Sequence, residues 1–236
     1  SVGDLKTRTD SNGYFLLAGM GQGRQQLYVD GSTADQWGGG YGQVVVPAEV
    51  LDGRMNELPR PVFLPRVRPQ DKLQLTSPTR EDIVVRHPEI PGLEVRIPAG
   101  TVFRDVHGRI LTEIAIVPTP VDRAPYLVGV NFPVYFTLLP GGATVEGKLA
   151  TTGLHVNYPN YSHAAPGKQS TFVYFDPTRN LWINYGGARV SDDGKQVVAD
   201  ARTVFRMHVG FGHTITDGPP PPPQKCKPPQ LNDRDT

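Results

Sequence analysis

A single cysteine, Cys226, in 236 residues leaves no internal disulfide and no C-x-x-C zinc site. No run of 18 apolar residues is present, so no membrane insertion by a helix is expected. Charge of one sign is lacking as well. The 24 Lys and Arg face 23 Asp and Glu, a formal net charge of +1 that offers no general attraction for nucleic acid or an anionic membrane. Helical periodicity is the last absence: apolar residues at 3.6 spacing are broken everywhere by Pro or Gly, leaving one helical turn each for residues 47–51 and 176–180. What abounds instead is turn chemistry. Gly (26) and Pro (24) make about a fifth of the chain, above average usage of roughly 12% and below the low-complexity range of roughly 25–30%. The length allows one or two domains with a real core.

Nearly every apolar run reads as a strand. Tyr14-Phe15-Leu16-Leu17, Gln26-Leu27-Tyr28-Val29, Gln43-Val44-Val45-Val46, Ile83-Val84-Val85 and Leu93-Glu94-Val95-Arg96-Ile97 come first. Residues 110–117, 134–139, 154–158, 171–175, 181–185, 196–198 and 204–209 follow. These runs are short, rich in β-branched and aromatic residues, and several alternate with period two. Leu93, Val95 and Ile97 are expected on one face, Glu94 and Arg96 on the other. Between the runs lie Asp10-Ser11-Asn12-Gly13, Asp105-Val106-His107-Gly108, Pro140-Gly141-Gly142 and Asp192-Asp193-Gly194. In such tetrads an Asp side chain caps the turn and a Gly or Asn supplies positive φ. Short strands at turn-punctuated spacing predict an all-β antiparallel sandwich.

Prolines divide the chain. Residues 1–50 form a small first module, and 51–79, with Pro59, Pro61, Pro65 and Pro69, a connector anchored by Val62, Phe63 and Leu64. Residues 80–217 form a larger sandwich. Residues 218–236 hold seven prolines, five of them consecutive, and are expected to be a polyproline II spacer. That tail carries Cys226 between Lys225 and Lys227, an exposed thiol with no site around it. The chain opens on Ser1 in a strand-like stretch with no leader pattern, as expected of a cleaved or excised segment.

Candidate chemistry is sparse. His87, His107, His155, His163, His208 and His213 show no metal-ligand spacing, and a zinc site would need ligands converging from separate strands. Asp10-Ser11-Asn12-Gly13 alternates oxygen ligands as a calcium loop does, yet lacks further acidic ligands and the closing Glu; a capped turn is favoured. No G-x-S-x-G occurs, and Ser162-His163 adjacency makes no triad. Gly38-Gly39-Gly40-Tyr41-Gly42 lacks the P-loop order and reads as a loop. No catalytic, cofactor-binding or metal residue is therefore assigned, and no cofactor is expected. One cluster stays open: Tyr158, Tyr161, Tyr174, Trp182 and Tyr185 are either core packing or a platform for a glycan or protein partner.

Two stretches carry family resemblances. Residues 9–31, with Thr9-Asp10, Gly13, Phe15, Leu17, Gly19, Gly23, Leu27 and Val29 at the key positions, resemble the second half of a carboxypeptidase-regulatory-like, transthyretin-like module. The opening strands of that family have no counterpart here, and the resemblance implies no catalytic residues. Residues 90–103, Ile90-Pro91-Gly92-Leu93-Glu94-Val95-Arg96-Ile97-Pro98-Ala99-Gly100-Thr101-Val102-Phe103, are similar to the signature of ZU5-like β-sandwiches. Some proteins with that module self-cleave at His-Phe-Ser, and Tyr161-Ser162-His163 does not match that order. With residues 105–109, 114–118, 132–137, 139–143, 158–160, 175–177, Trp182, 190–195 and 210–212 and the polyproline tail, the succession resembles the region ahead of the repeat shell in bacterial RHS/YD-repeat proteins.

The resemblance implies a secreted or cell-surface, toxin-associated scaffold segment that is not an enzyme. Its expected partners are the remainder of a parent polypeptide or like chains through β-edge pairing. The alternatives are an adhesin-like module binding a glycan or protein, and a strand-exchanging subunit of an extracellular filament. A hydrolase whose residues meet only in three dimensions is the rival from another class.

Overall fold

The computed structural model describes residues 1–34, 40–120, 134–147, 153–176, 179 and 181–205, and the backbone of 213–216. The protein is all-β: its strands are antiparallel, and the described residues hold no helix beyond one 3-10 turn, Pro69–Asp71. Strands β1 (Gly23–Asp30) and β2 (Gln43–Val50) form a two-stranded sheet. The short strands β6 (Val102–Arg104), β7 (Ile110–Leu111) and β10 (Thr144–Glu146) form a second, ordered β10-β6-β7.

Ten strands make the third sheet. They are β3 (Lys72–Gln74), β4 (Ile83–His87), β5 (Ile90–Ile97), β8 (Glu113–Pro118), β9 (Phe136–Leu139), β11 (His155–Pro159), β12 (Gln169–Asp176), β13 (Leu181–Val190), β14 (Gln196–Ala199) and β15 (His213–Thr216). Their order is β3-β8-β9-β15-β12-β13-β14-β11-β5-β4. The edge strand β3 lies inside the stretch that its prolines mark as connector.

The large sheet packs on both faces. Phe136 and Leu138 of β9, Ile114 and Ile116 of β8, and Phe172 and Tyr174 of β12 enter the main core with Leu93, Val95 and Ile97 of β5. The alternate residues of the same strands, Leu139, Ala115, Val117 and Phe175, enter a second core on the opposite face. Val44 and Val45 of β2 cover that second core, together with Val62, Leu64 and Val67. Strands buried on two sides lose the polar alternation of a surface strand. Thus β9 is apolar or buried throughout, while β5 keeps the period-two pattern, with Glu94 half-buried and Arg96 exposed.

Backbone contacts weld β2 to the large sheet. The Gly141 N–H donates to the Gln43 carbonyl at 2.8 Å, and a Cβ on Gly141 would lie 2.6 Å from that oxygen. Only glycine allows this approach without displacing β2. Gly42 N–H donates to the Pro65 carbonyl and Val67 N–H to the Gly40 carbonyl, fixing residues 65–67 alongside.

Three local expectations change. Residues 14–17 lie outside every strand, with Tyr14 75% and Leu16 68% exposed: their composition suits a sheet, but no described strand lies beside them. Residues 47–51 are not a helical turn, because β2 continues through Pro47 to Val50. Proline is tolerated there because the Tyr28 N–H and carbonyl face Ser1, away from β2. Alternation then turns Gln26 and its opposite, Pro47, outward as well, so the ladder needs no donor at Pro47. Residues 110–117 are two strands parted at Thr112, whose carbonyl accepts from Leu75 N–H. The polyproline stretch and Cys226 lie outside the described residues, as do residues 206–209 of the last predicted run.

Candidate functional site

The most concentrated polar chemistry sits where the connector meets the β4–β5 hairpin. Pro69 fixes the backbone at the start of the 3-10 turn, and Asp71 closes it: the Arg68 N–H donates to Asp71 Oδ2 at 2.7 Å, while Asp71 N–H donates to the Arg68 carbonyl. The turn drives the Asp71 carboxylate inward, where His87 Nε2 lies 3.0 Å from Oδ1. The Glu89 N–H donates to His87 Nδ1 at 3.2 Å, so both ring nitrogens have partners. The Arg68 guanidinium bonds both Asp71 and Glu89.

Burial alone would raise the Asp71 carboxyl; donors from the Arg68 side chain and backbone and from His87 hold it below the ordinary value. Both imidazole nitrogens are engaged and no hydroxyl or thiol nucleophile joins the group. Geometrically the group clamps the turn to the β4–β5 hairpin. By sequence Pro69 belonged to an extended connector, and the 3-10 turn of residues 69–71 was not anticipated. The approach of His87, sixteen residues on, is a product of the sheet and left no sequence signal.

The other histidines do not gather. His107 lies in the turn capped by Asp105 Oδ1, which accepts the His107 and Arg109 N–H groups. His155 is half-buried on β11, where desolvation first and Arg96 second lower its pKa. His163 sits in a loop at φ 51°, His213 begins β15, and His208 lies outside the described residues. Among the described residues no three His, Cys, Asp or Glu side chains group as metal ligands. At the calcium-like loop, Asp10 Oδ1 accepts the N–H groups of Asn12 and Tyr14, and Gly13 takes φ 84°, a capped turn. Of the glycine cluster, residues 38 and 39 lie outside the described residues; Gly42 and Gly40 bond the 65–67 segment.

The five aromatic candidates part company. Tyr158 and Tyr174 are buried in the main core, with Tyr185 half-buried against it; Trp182 packs against the second core. Tyr158 meets Phe172 edge-on at 4.8 Å, and Tyr185 contacts Phe172, Tyr174 and Phe205 at 5.5–6.1 Å. Burial raises the Tyr158, Tyr174 and Tyr185 phenols, so none ionises near neutrality. Tyr161 alone is exposed, its hydroxyl donating to the Pro91 carbonyl at 3.2 Å.

One edge of this aromatic group opens into a cleft of about 390 Å³, with Tyr174, Tyr185 and Phe205 at its floor and Asn184 and Arg202 among its lining. A second, of about 360 Å³, lies over Thr79, Arg80 and Gly100. Both are at the small end of ligand pockets, and neither holds an acid–base pair. The first offers aromatic and aliphatic surface, one amide and one guanidinium.

No family model, no curated protein and no solved structure matches this chain.

Proposed function

We propose that this chain is a non-catalytic structural segment of a larger secreted or cell-surface polypeptide of the RHS/YD-repeat kind. In this reading residues 9–31 belong to a transthyretin-like module and residues 80–217 to a ZU5-like sandwich. The segment serves as a rigid scaffold, toxin-associated, and assembles with the rest of its polypeptide or with like chains by β-edge pairing. The observation that carries the reading is the two-sided burial of β8, β9 and β12: β2 and residues 62–67 are locked over the second face, so the polar clusters hold elements together. Reading the coding sequence on either side of this segment tests it. A YD-repeat array downstream is the expected result; an unrelated enzyme domain continuous with the sandwich overturns it.

The aromatic-floored cleft favours a second reading, an adhesin-like module that takes a sugar ring or a planar side chain against Tyr185 and Phe205 beside Arg202. A glycan array probed with the full chain and with Arg202→Ala tests this. Signal lost in the variant supports it, and an array blank for both dismisses it for glycans.

A further inference from the structure

The stretch after β14 doubles back over β13 and is pinned there on both sides of Arg202. Asp200 N–H donates to the Gly187 carbonyl at 3.0 Å, and the Thr203 hydroxyl donates to the same carbonyl at 2.7 Å. Phe205 and Leu154 exchange both backbone bonds at 2.7 and 2.8 Å. The approach is close at Gly186, where a Cβ would collide with the Thr203 side chain. Arg202 and Val204 flank Thr203, so its anchors hold both in place. With Ile183, Asn184 and Tyr185 of β13 they line the cleft of about 390 Å³, and Tyr174 and Phe205, 3% and 0% exposed, close it from beneath.

The exposed polar side chains of this cleft are of one kind. Asn184 Oδ1 accepts the Gly186 N–H at 2.8 Å, which leaves the amide nitrogen, a donor, as the group to offer. Arg202 carries donors only, and among the described residues it forms no ion pair. Elsewhere Arg86, Arg104 and Arg189 each face a carboxylate. No Asp or Glu lines the cleft, and the acids nearest in sequence are taken. Asp200 lies 3.9 Å from Arg189, and Asp176, two residues past Tyr174, lies 3.6 Å from Arg179. The open surface is therefore aliphatic, with two donor groups, one of them a cation whose charge nothing in the cleft offsets.

We infer that this cleft takes the carboxylate-bearing ring of an acidic sugar, a hexuronic acid, with the carboxylate on Arg202 and Asn184 and the ring's C–H groups on Ile183 and Val204. The inference deepens the second reading, a glycan-binding module, and rests on it. Donors without acceptors suit an anion, because a carboxylate accepts at both oxygens and a guanidinium presents paired N–H groups to it. The hydroxyls of a neutral sugar need acceptors as well as donors, and no carboxylate stands here to supply them. Since the buried rings lie beneath the surface, the exposed walls are branched aliphatic side chains, a fit for a puckered ring more than for a flat one stacked face to face. Walls pinned in advance also lower the cost of ordering on binding.

The test follows the full, isotope-labelled chain by NMR as methyl β-D-glucuronide, methyl β-D-glucoside, benzoate and acetate are each added to separate samples. The glucuronide is expected to shift the Arg202 Nε–H and the Ile183 and Val204 methyls together, saturably, and to bind about tenfold more tightly than the glucoside. Arg202→Gln is expected to weaken the glucuronide by about tenfold and to leave the glucoside unchanged. Asn184→Asp keeps an acceptor for the Gly186 N–H and places a carboxylate in the cleft. It is expected to have the same effect, with amide exchange in the main core as in the wild type. A glucoside that binds as tightly as the glucuronide overturns the acid and leaves the glycan-binding reading standing. Acetate that matches the glucuronide, or benzoate that binds where the glucuronide does not, overturns the sugar. No response to any of the four overturns the site, and the glycan array then decides the glycan-binding reading by itself.

Discussion

Two apolar runs of this chain, Tyr14-Phe15-Leu16-Leu17 and Phe172-Val173-Tyr174-Phe175, are nearly matched in composition and opposite in fate. The second is 0–3% exposed, lies between β13 and β15, and feeds a core on each face of the sheet. The first has two residues more than two-thirds exposed and belongs to no strand. Local propensity favours the second run only modestly, since two leucines stand where it has valine and phenylalanine, so most of the difference comes from neighbours: a strand gains from its propensity when partners occupy its edges and a face is covered.

The contrast can be broken, the largest effect first. Phe172→Ala removes a fully buried ring from the main core and is expected to cost about 3–5 kcal/mol in urea unfolding. A cost below about 1 kcal/mol would contradict the packing described.

Asp71→Ala comes next, at about 3 kcal/mol, because it strands His87 and Arg68 without their buried acceptor. The pH dependence has a fixed sign. The folded Asp71 carboxyl is held below its ordinary 3.8, so its contribution is present above that value and fades as pH falls through the folded pKa. Unfolding followed from pH 6 to pH 2 is expected to show a shallower acid limb for Asp71→Asn than for the wild type; superimposable limbs would remove the clamp from the account.

Gly141→Ala probes the weld between β2 and the large sheet. Its Cβ must displace the Gln43 carbonyl, at an expected cost of about 1–3 kcal/mol. Hydrogen exchange should quicken along β2 before it does along β12, and a uniform change would mean the two regions open as one unit.

Leu16→Ser is the smallest, expected within about 0.5 kcal/mol of the wild type. A larger loss would show that residues 14–17 are covered in solution.

Much of the β architecture was legible because its signals are local. Glu94 and Arg96 between Leu93, Val95 and Ile97 mark a strand with one buried face, and β5 is that strand. Asp10, Asp105 and Asp193 each accept backbone N–H groups within their own turns, contacts that span two to four residues. Pro47 misled for the same reason. Read locally, a proline interrupts a strand; in the sheet it stands on the outward side of β2, where no bond to β1 is required. The Asp71–His87 clamp was not legible: only Pro69 of its turn was noted, as a connector proline, and the pair spans sixteen residues.

Alternating residues, turn tetrads and interrupted helical periods determined by themselves that this chain is all-β, since each rests on sterics and hydrogen bonds within a few residues. Only the tertiary structure decided which apolar runs become core. It placed β2 and residues 62–67 on the second face of the large sheet, brought His87 to Asp71, and drew four of the five aromatics into or against the cores. Those outcomes depend on which strands lie side by side, and the order of strands in a sheet is set by long-range burial that no short stretch of sequence encodes.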